Sequence, residues 1–400
     1  MSRKKKNLII HDVEITDIGS EGKALGKKDD KVVFVPSLLP GDVVDVRVKR
    51  KRKSYLEGTP IHFHKYSNWR IEPFCKHFGT CGGCKWQHLP YEKQLHYKEK
   101  QVTDAFERIG KLEIEKKNKI LPSYKEKYYR NKLEYTFSAT RWLTEAEIEN
   151  KDEIADRRAL GFHVAGMFNR VINIDECFLQ PSPSNEIRNA IRNFAIDNNF
   201  SFFDQSKNEG LLRNVIVRTS STGESMVIIV FHYEDAKNNA LLNYISTTFP
   251  NLTSVMYVIN PKVNDSISDL QVQLYNGRDY VLEKMGNLEF RIGPKSFYQT
   301  NSQQAHKLYK TVDRFSGFKG NEVVYDLYTG TGTIALFIAS KVKKVIGIEY
   351  NEDAVEDAKQ NAKQNSIKNA IFEAGDMKDI LNTSFIQVHE KPDVIITDPP

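Results

Sequence analysis

The sequence has few cysteines and lacks a long apolar segment. Only four of the 400 residues are cysteine, and a disulfide framework is not expected, because disulfides are uncommon in cytosolic proteins. No apolar run approaches the roughly 18 to 20 residues that cross a membrane. Basic residues open the chain, but no apolar stretch follows them as in a secretory signal. These absences predict a cytoplasmic protein without membrane spans, and the length predicts two or three domains.

Charge is distributed unevenly along the chain. Residues 1–133 contain 30 Lys and Arg against 17 Asp and Glu, whereas residues 134–400 contain 28 against 35. A basic front part suggests a polyanionic partner such as RNA. A solvated lysine-rich surface would give the same imbalance, so charge alone leaves both interpretations open.

Residues 1–62 are predicted to form a small β-barrel. Short alternating runs occur at 8–15, 32–35 and 43–48, separated by glycine-containing and Pro-Gly turns. Five consecutive basic residues, 49–53, follow the third run. Small OB-like barrels bind nucleic acid through such basic faces, although a generic barrel with a charged edge also fits.

The remaining chain is predicted to be α/β. Residues 63–295 mix a helix at 91–109, a second helix beginning near Ser184, and strands at 132–137, 215–218 and 226–231. From residue 296, strands at 323–326, 344–349, 370–373 and 394–397 alternate with helices. Strict alternation predicts a parallel, Rossmann-like sheet.

The cysteines have a spacing that is typical of metal sites. Cys75, Cys81 and Cys84 form a C-x5-C-x2-C pattern, and Cys177 is remote. Four thiolates suit either a cubane iron–sulfur cluster or a structural zinc ion. The loose first spacing favours the cluster, because zinc sites usually use two close pairs. Zinc and unliganded buried thiols stay open at this point.

Acidic residues follow each of the four predicted C-terminal strands. Asp326 and Glu349 end the first two strands, Asp376 and Asp398 follow the third and fourth, and a Gly330-Thr331-Gly332 loop follows the first. Carboxyl ends of parallel strands meet at one edge, where open sheets bind ligands. An acid at Glu349 can accept both ribose hydroxyls. Acidic loops favour the cationic S-adenosylmethionine over a nicotinamide dinucleotide, whose pyrophosphate Asp326 and Asp398 would repel.

These motifs together resemble the RNA uracil-5-methyltransferase family over nearly the whole chain. The residues that carry the resemblance are the Gly26, 34–36 and 39–43 segments of the barrel, the cysteine pattern, the F-x-Q-x-N segment 297–301 and the loop 326–332. The resemblance implies a TRAM-type RNA-binding barrel at 1–62, a central α/β domain at 63–295 with a [4Fe–4S] cluster, and an S-adenosylmethionine-binding methyltransferase domain from 296 to 400.

The resemblance also implies roles for individual residues. Cys75, Cys81, Cys84 and Cys177 would ligate the cluster, and Phe297 would help hold the target uracil. The implied contacts to S-adenosylmethionine are Gln299, Tyr328, Gly330, Gly332, Thr333, Glu349, Asp376 and Asp398. Thr333 stands where some members of the family have Asn.

The family reaction needs a cysteine nucleophile and a carboxylate base. In the family both follow the D-P-P segment, which here is 398–400, and all four cysteines present are assigned to the cluster. We therefore expect both groups after residue 400. Only about four of the family's seven sheet strands fit before that point, so we also expect a longer protein, since the fourth strand would otherwise be an exposed edge.

The expected partner is RNA, and the protein is expected to be a monomer. A base that meets the cofactor must leave its stack, which favours an RNA loop over a duplex. Arg130, Lys132 and Arg213 are candidates for phosphate contacts, although ordinary surface ion pairs are as consistent with them. Basic regions favour 23S ribosomal RNA over transfer RNA. A catalytically silent RNA-binding module and an iron–sulfur oxidoreductase that uses a nicotinamide are the alternatives.

Overall fold

The computed structural model describes residues 8–143, 145–149 and 156–399. Its chain divides into two compact units. Residues 8–126 and 163–168 form the first unit, and the other described residues form the second. Within the described part of the chain, no helix is both long and apolar enough to span a membrane.

The first unit contains the predicted barrel. Its strands are β1 (Ile9–Ile18), β2 (Ala24–Lys28), β3 (Lys31–Val35), β4 (Val43–Lys51) and β5 (Tyr55–Lys65). They close in the order β1-β2-β3-β5-β4 around a core that includes Val13, Val33 and Val46, all fully buried. The barrel was therefore predicted correctly, although β5 continues beyond the expected boundary at residue 62.

A buried carboxylate fixes the turn before β4. Asp42, fully buried, accepts hydrogen bonds from the Leu39 amide at 2.7 Å and the Ser67 amide at 2.7 Å. The Arg70 guanidinium donates to it at 2.6 Å. A buried carboxylate with these partners is satisfied, so Asp42 ties the turn to the chain that leaves the barrel.

Residues 66–90 of the first unit contain three cysteines and no helix or extended strand. They lead into α1 (Tyr91–Asp104), which continues as a π-helical turn over Ala105–Ile109. The predicted helix at 91–109 is thus present, and Tyr97 is its buried residue.

The second unit begins with a seven-stranded sheet. Its strands are β6 (Lys132–Ser138), β7 (Ala159–His163), β8 (Val171–Asn173), β9 (Leu212–Thr219), β10 (Ser225–Phe231), β11 (Ser254–Ile259) and β12 (Gln273–Gly277), and its helices are α2 (Glu145–Glu149), α3 (Ser184–Asp197) and α4 (Ala236–Thr248). The strand order is β12-β11-β10-β9-β6-β7-β8. Strands β9 and β10 are entirely buried. Burial explains the continuous apolar run 226–231 of β10, whereas β9 also buries polar side chains, among them Arg213 and Arg218.

A hairpin and a helix precede the second sheet of this unit. These are β13 (Val281–Met285), β14 (Leu288–Ile292) and α5 (Ser302–Ser316). There follow β15 (Val323–Leu327), α6 (Thr333–Ile338), β16 (Lys344–Glu349), α7 (Glu352–Gln364), β17 (Ala370–Ala374), α8 (Met377–Ile380), α9 (Thr383–His389) and β18 (Val394–Thr397). All pairings in the order β17-β16-β15-β18 are parallel, as predicted, so the four carboxyl ends lie at one edge.

One apolar cluster joins the two sheets of the second unit. It includes Ile228 and Val258 of the seven-stranded sheet, Phe290 of the hairpin, and Val324 and Val345 of the parallel sheet. Contiguous burial of this kind defines one compact unit. The boundary at 295/296 that the sequence suggested therefore falls inside a shared core.

Candidate functional site

In the loop after β15, three alternate residues have a positive φ. Tyr328, Gly330 and Gly332 have φ of 63°, 55° and 78°. A Cβ at Gly332 would lie 2.9 Å from Phe372 and 3.0 Å from Ala358. Only glycine combines that dihedral angle with so little space, so the second glycine is required by packing beneath the loop.

Asp326 holds this loop from below. Its side chain is buried, and Oδ2 accepts hydrogen bonds from Thr329 Oγ1 at 2.6 Å and from the Ala335 amide at 3.1 Å. Burial raises the pKa of Asp326 to about 7, and the negative charges of Asp398 and Glu349 add to the effect. Oδ1 has no protein partner. Asp326 is absent from the cavity lining described below, so its expected repulsion of a pyrophosphate stays a prediction.

Glu349 lies at the end of β16 and faces the same loop. Its Oε2 accepts a hydrogen bond from the Gly330 amide at 3.1 Å, and Oε1 accepts one from the Asn351 amide at 3.0 Å. The carboxylate is therefore oriented by backbone donors on both sides. Such preorganisation suits an acceptor for ligand hydroxyls.

A cavity of about 720 Å³ lies above the carboxyl ends of the strands. Most of the sequence-predicted residues line it, namely Phe297, Gln299, Tyr328, Gly330, Thr333, Glu349 and Asp398. Gln299 Nε2 donates to Asp398 Oδ2 at 3.3 Å across the cavity. Thr333 Oγ1 is 2.9 Å from the Tyr309 hydroxyl. The structure thus brings residues that are about 100 positions apart into one site, although their ligand remains a prediction.

The cavity is acidic. Its lining includes the carboxylates of Asp279, Glu349, Asp353, Glu356, Asp357 and Asp398 but only two basic side chains, Arg291 and Lys295. Lys295 pairs with Asp353 at 2.8 Å. The Arg291 guanidinium lies 4.0 Å from the centre of the Tyr280 ring. The remaining carboxylates favour a positively charged ligand.

Asn131, which lies just before β6, and Arg218 of β9 hold the segment 294–301, a role that the sequence analysis missed. The Asn131 side-chain amide donates to the Gln299 carbonyl at 2.9 Å, and the Asn131 backbone amide donates to the Thr300 carbonyl at 2.8 Å. Buried Arg218 donates to the Ser296 carbonyl at 2.6 Å. Burial lowers the pKa of Arg218 to about 10, which leaves it charged at neutral pH. In the sequence, the position of Arg218 near the end of an apolar, strand-like run was the signal that could have indicated this role.

Two predicted cofactor residues are not among those that line the cavity. Asp376 instead caps α8 by accepting from the Lys378 amide at 3.1 Å, and its carboxylate pairs with Lys378 Nζ at 2.9 Å. Gly332 lies beneath the loop against Phe372. The capping role is a common one for an acid after a strand, and the structure favours it for Asp376.

The predicted phosphate contacts differ in exposure. Arg213 is a correction, because its side chain is fully buried, pairs with Asp265 at 2.8 Å and donates to the Asn260 carbonyl at 2.9 Å. It therefore has no surface to offer to RNA. Lys132 is half-buried, and burial together with nearby Arg218 lowers its pKa. Arg130 is half-buried, whereas Phe297 is 67% exposed. The RNA roles of these three remain predictions.

Three of the cysteines lie in the first unit and the fourth lies in the second. Cys75, Cys81 and Cys84 are partly exposed in the 66–90 segment of the first unit, where the Gly83 amide points to Cys81 Sγ at 3.4 Å. Cys177, in the second unit, is buried, and its amide donates to Asn185 Oδ1 at 2.8 Å. None of the four forms a disulfide in the described structure.

Two family models match the chain. The TRAM domain matches residues 10–61, and a methyltransferase domain matches residues 318–399. A protein of Bacteroides thetaiotaomicron is 52% identical over 387 residues, covering 96% of this chain and 85% of its own length. A protein of Porphyromonas gingivalis is 51% identical over 396 residues, covering 97% of this chain and 85% of its own length. Both bear the name uncharacterized RNA methyltransferase.

A solved structure is similar over the same extent. The tRNA (uracil-54, C5)-methyltransferase of Pyrococcus abyssi, in complex with S-adenosyl-L-homocysteine, superimposes with a TM-score of 0.72 at 25% identity. The alignment covers 98% of this chain and 84% of that one. The fold of the barrel and the fold of the two sheets are thus each shared with an enzyme that was crystallised in complex with S-adenosyl-L-homocysteine.

The raised pKa of Asp326 predicts a pH-dependent stability. The folded state keeps its proton up to about pH 7, whereas the unfolded state loses it near pH 4. The folded state therefore binds more protons between these values, and this side chain's contribution to the unfolding free energy falls as pH rises from 4 to 7. Urea unfolding of wild type and Asp326→Asn, which keeps an acceptor oxygen, should show their difference shrinking or reversing with rising pH. A constant difference would contradict it.

Asn131 is expected to affect cofactor binding without touching the cofactor. Asn131→Ala removes the hydrogen bonds to Gln299 and Ser302, and binding of S-adenosylmethionine measured by calorimetry should weaken about 10-fold. Asn243→Ala, an exposed position on α4, is the matched control and should leave the affinity unchanged. Equal affinities of wild type and Asn131→Ala would show that segment 294–301 keeps its conformation without the Asn131 hydrogen bonds.

Proposed function

Because the chain belongs to the RNA methyltransferase family of these relatives, with a TRAM domain followed by a methyltransferase domain, we propose that it methylates C5 of a uridine in RNA. The observation that carries the proposal is the acidic cavity above the parallel sheet, bordered by Phe297 and Gln299. The protein of known structure that it resembles over nearly its whole length acts on C5 of uracil in tRNA.

The cavity suits S-adenosylmethionine, which supplies an electrophilic methyl group when bound. The carboxylates that line the cavity complement a cationic donor. Glu349, oriented by two backbone amides, would accept hydrogen bonds from ribose hydroxyls. Gln299 and Asp398, which contact each other, would border the position where the donor and the uracil meet.

The reaction proceeds through a covalent uracil adduct in this proposal. Uracil C5 is a weak nucleophile, so a cysteine thiolate first adds to C6 and makes C5 electron-rich. C5 then takes the methyl group, a carboxylate base removes its proton, and the C6–sulfur bond breaks to release the thiolate. Exposed Phe297 at the cavity mouth would stack on the uracil.

The proposed substrate is 23S ribosomal RNA. A run of five basic residues at 49–53 lies at the β4–β5 turn of the barrel, and exposed basic residues favour a large polyanion. Arg130 and Lys132 flank Asn131, so RNA contacts there would lie beside the residue that holds Gln299. The target base must be unpaired to enter the cavity.

We further propose that the four cysteines bind a [4Fe–4S] cluster. Three thiols on one short segment, with the Gly83 amide directed at Cys81 Sγ, fit the way backbone amides donate to cluster sulfur. Asn185 orders the backbone at Cys177 from both sides, as donor and acceptor. Four thiolate ligands would leave no iron of the cluster with an open coordination site. The role of the cluster in this proposal is therefore structural.

The central test is methyl transfer to RNA by the full-length protein. RNA from cells lacking the gene should accept a labelled methyl group, and mapping should find 5-methyluridine at one position of 23S ribosomal RNA. Asp398→Asn should reduce transfer by at least about 10-fold, because it removes a carboxylate from the cavity. Methylation of transfer RNA alone would contradict the substrate. Tight NADH binding without S-adenosylmethionine binding would contradict the reaction.

Metal analysis tests the cluster separately. Anaerobically purified protein should contain four irons per chain with the visible absorption of an iron–sulfur protein, and Cys84→Ser should lose both. Arg52→Ser, at an exposed barrel turn, controls for a surface substitution. One tightly bound zinc ion in place of iron would support the zinc alternative and overturn this part of the proposal.

A further inference from the structure

A cluster of metal-ligating side chains lies on the outside of the barrel. Asp12, Asp45 and His64 place one ligand atom each within 4.8 Å of one another. His64 Nε2 lies 2.7 Å from Asp45 Oδ1 and 3.5 Å from Asp12 Oδ1. The three residues belong to three adjacent strands, β1, β4 and β5. From this geometry we propose that the barrel binds a divalent cation of the Mn²⁺ type.

The local backbone creates the cluster. The pairing of β1 with β4 shifts register between Ile10 and Val13, and Asp12 at this bulge has a φ of 53°. Bulges redirect side chains at functional positions. The side chain of Asp12 is 67% exposed, whereas that of Asp45 is only 12% exposed, so the bulge places a solvent-accessible carboxylate beside a nearly buried one.

Asp45 is oriented by groups beyond the three ligands. His11 Nδ1 lies 3.0 Å from Asp45 Oδ2, the oxygen that His64 does not contact, and the Asp12 amide donates to Oδ1 at 3.1 Å. Such outer contacts fix the direction of a ligating carboxylate.

The donor set selects the class of ion. An octahedral ion with bonds of about 2.1 Å brings neighbouring ligand atoms about 3 Å apart, and the measured separations of 2.7 Å and 3.5 Å bracket this value. Two carboxylates with one imidazole suit Mn²⁺, since carboxylate oxygen favours hard ions and imidazole nitrogen favours transition metals. Water would complete the coordination on the exposed side of Asp12 and His64.

Binding of Mn²⁺ can also distinguish this site from the other candidate metal sites of the chain. Zinc would bind the four cysteines, whereas Mn²⁺ prefers oxygen and nitrogen ligands. The acidic cavity of the second unit could hold Mn²⁺ through carboxylates, but no histidine lines that cavity in the described structure. A nitrogen ligand on the bound ion therefore identifies the barrel site.

The experiment is a titration of the full-length protein with Mn²⁺, followed by the electron paramagnetic resonance signal of the free ion. Wild type should bind one ion that shows electron spin-echo modulation from a single imidazole nitrogen. His64→Ala should remove the nitrogen modulation, and Asp12→Asn should weaken binding at this site at least about 10-fold. Asparagine tolerates the left-handed conformation at Asp12, so this variant keeps the bulge.

Asp30→Asn is the matched control. Asp30 is another exposed barrel carboxylate with positive φ, 59°, but it is not part of the cluster. Its variant should bind Mn²⁺ as wild type does. Two results would overturn the proposal. One is binding without nitrogen modulation. The other is no stoichiometric binding, in which case the cluster is a closed network of Asp–His hydrogen bonds.

Discussion

The buried carboxylate of Asp326 is the interaction on which the ligand loop depends. It bonds to Thr329 before the glycines and to Ala335 after them, so one side chain fixes both ends of the bend. Phe372 and Ala358 then press against Gly332 from below. Since an unsatisfied carboxylate in a dry interior is costly, the loop and the charge stabilise each other. The shape of the cavity floor follows from this arrangement before any ligand enters.

The opposite wall of the cavity is fixed from the seven-stranded sheet. Asn131 just before β6 and Arg218 in β9 bond to main-chain carbonyls of segment 294–301, and Asn301 caps α5 by accepting from the Gln304 amide at 3.0 Å. The last residue of the F-x-Q-x-N segment is thus structural. One apolar cluster runs through both sheets, so Gln299 and Glu349 are positioned by the same core. We therefore expect substitutions in the core of the seven-stranded sheet to alter the cavity.

The sequence predicted the fold well where a local rule applied. Strict alternation of strands and helices located β15 to β18 and placed Glu349 and Asp398 at one edge, since the carboxyl ends of parallel strands must converge. The rule does not say which strand-end acids turn into the cavity. Asp376 satisfies the short helix that it precedes, whereas Glu349 faces the ligand loop. Arg213 was misassigned because burial depends on the sheet that covers it, which its neighbours in sequence do not reveal. The contact of Asn131 with segment 294–301 was missed for the same reason, since its partner Gln299 lies 168 positions away.

The first unit is assembled from two separate stretches of chain. Residues 163–168 belong to it although residues 127–162 do not. The Gly82 amide donates to the His163 carbonyl at 2.9 Å, and Cys81 forms a bridge with Val164. During synthesis, therefore, the segment that carries three cysteines lacks these contacts until residues 163–168 have been made. The barrel strands β1 to β5 are complete by residue 65, whereas the cysteine segment gains its contacts to His163 and Val164 only from chain that is made later.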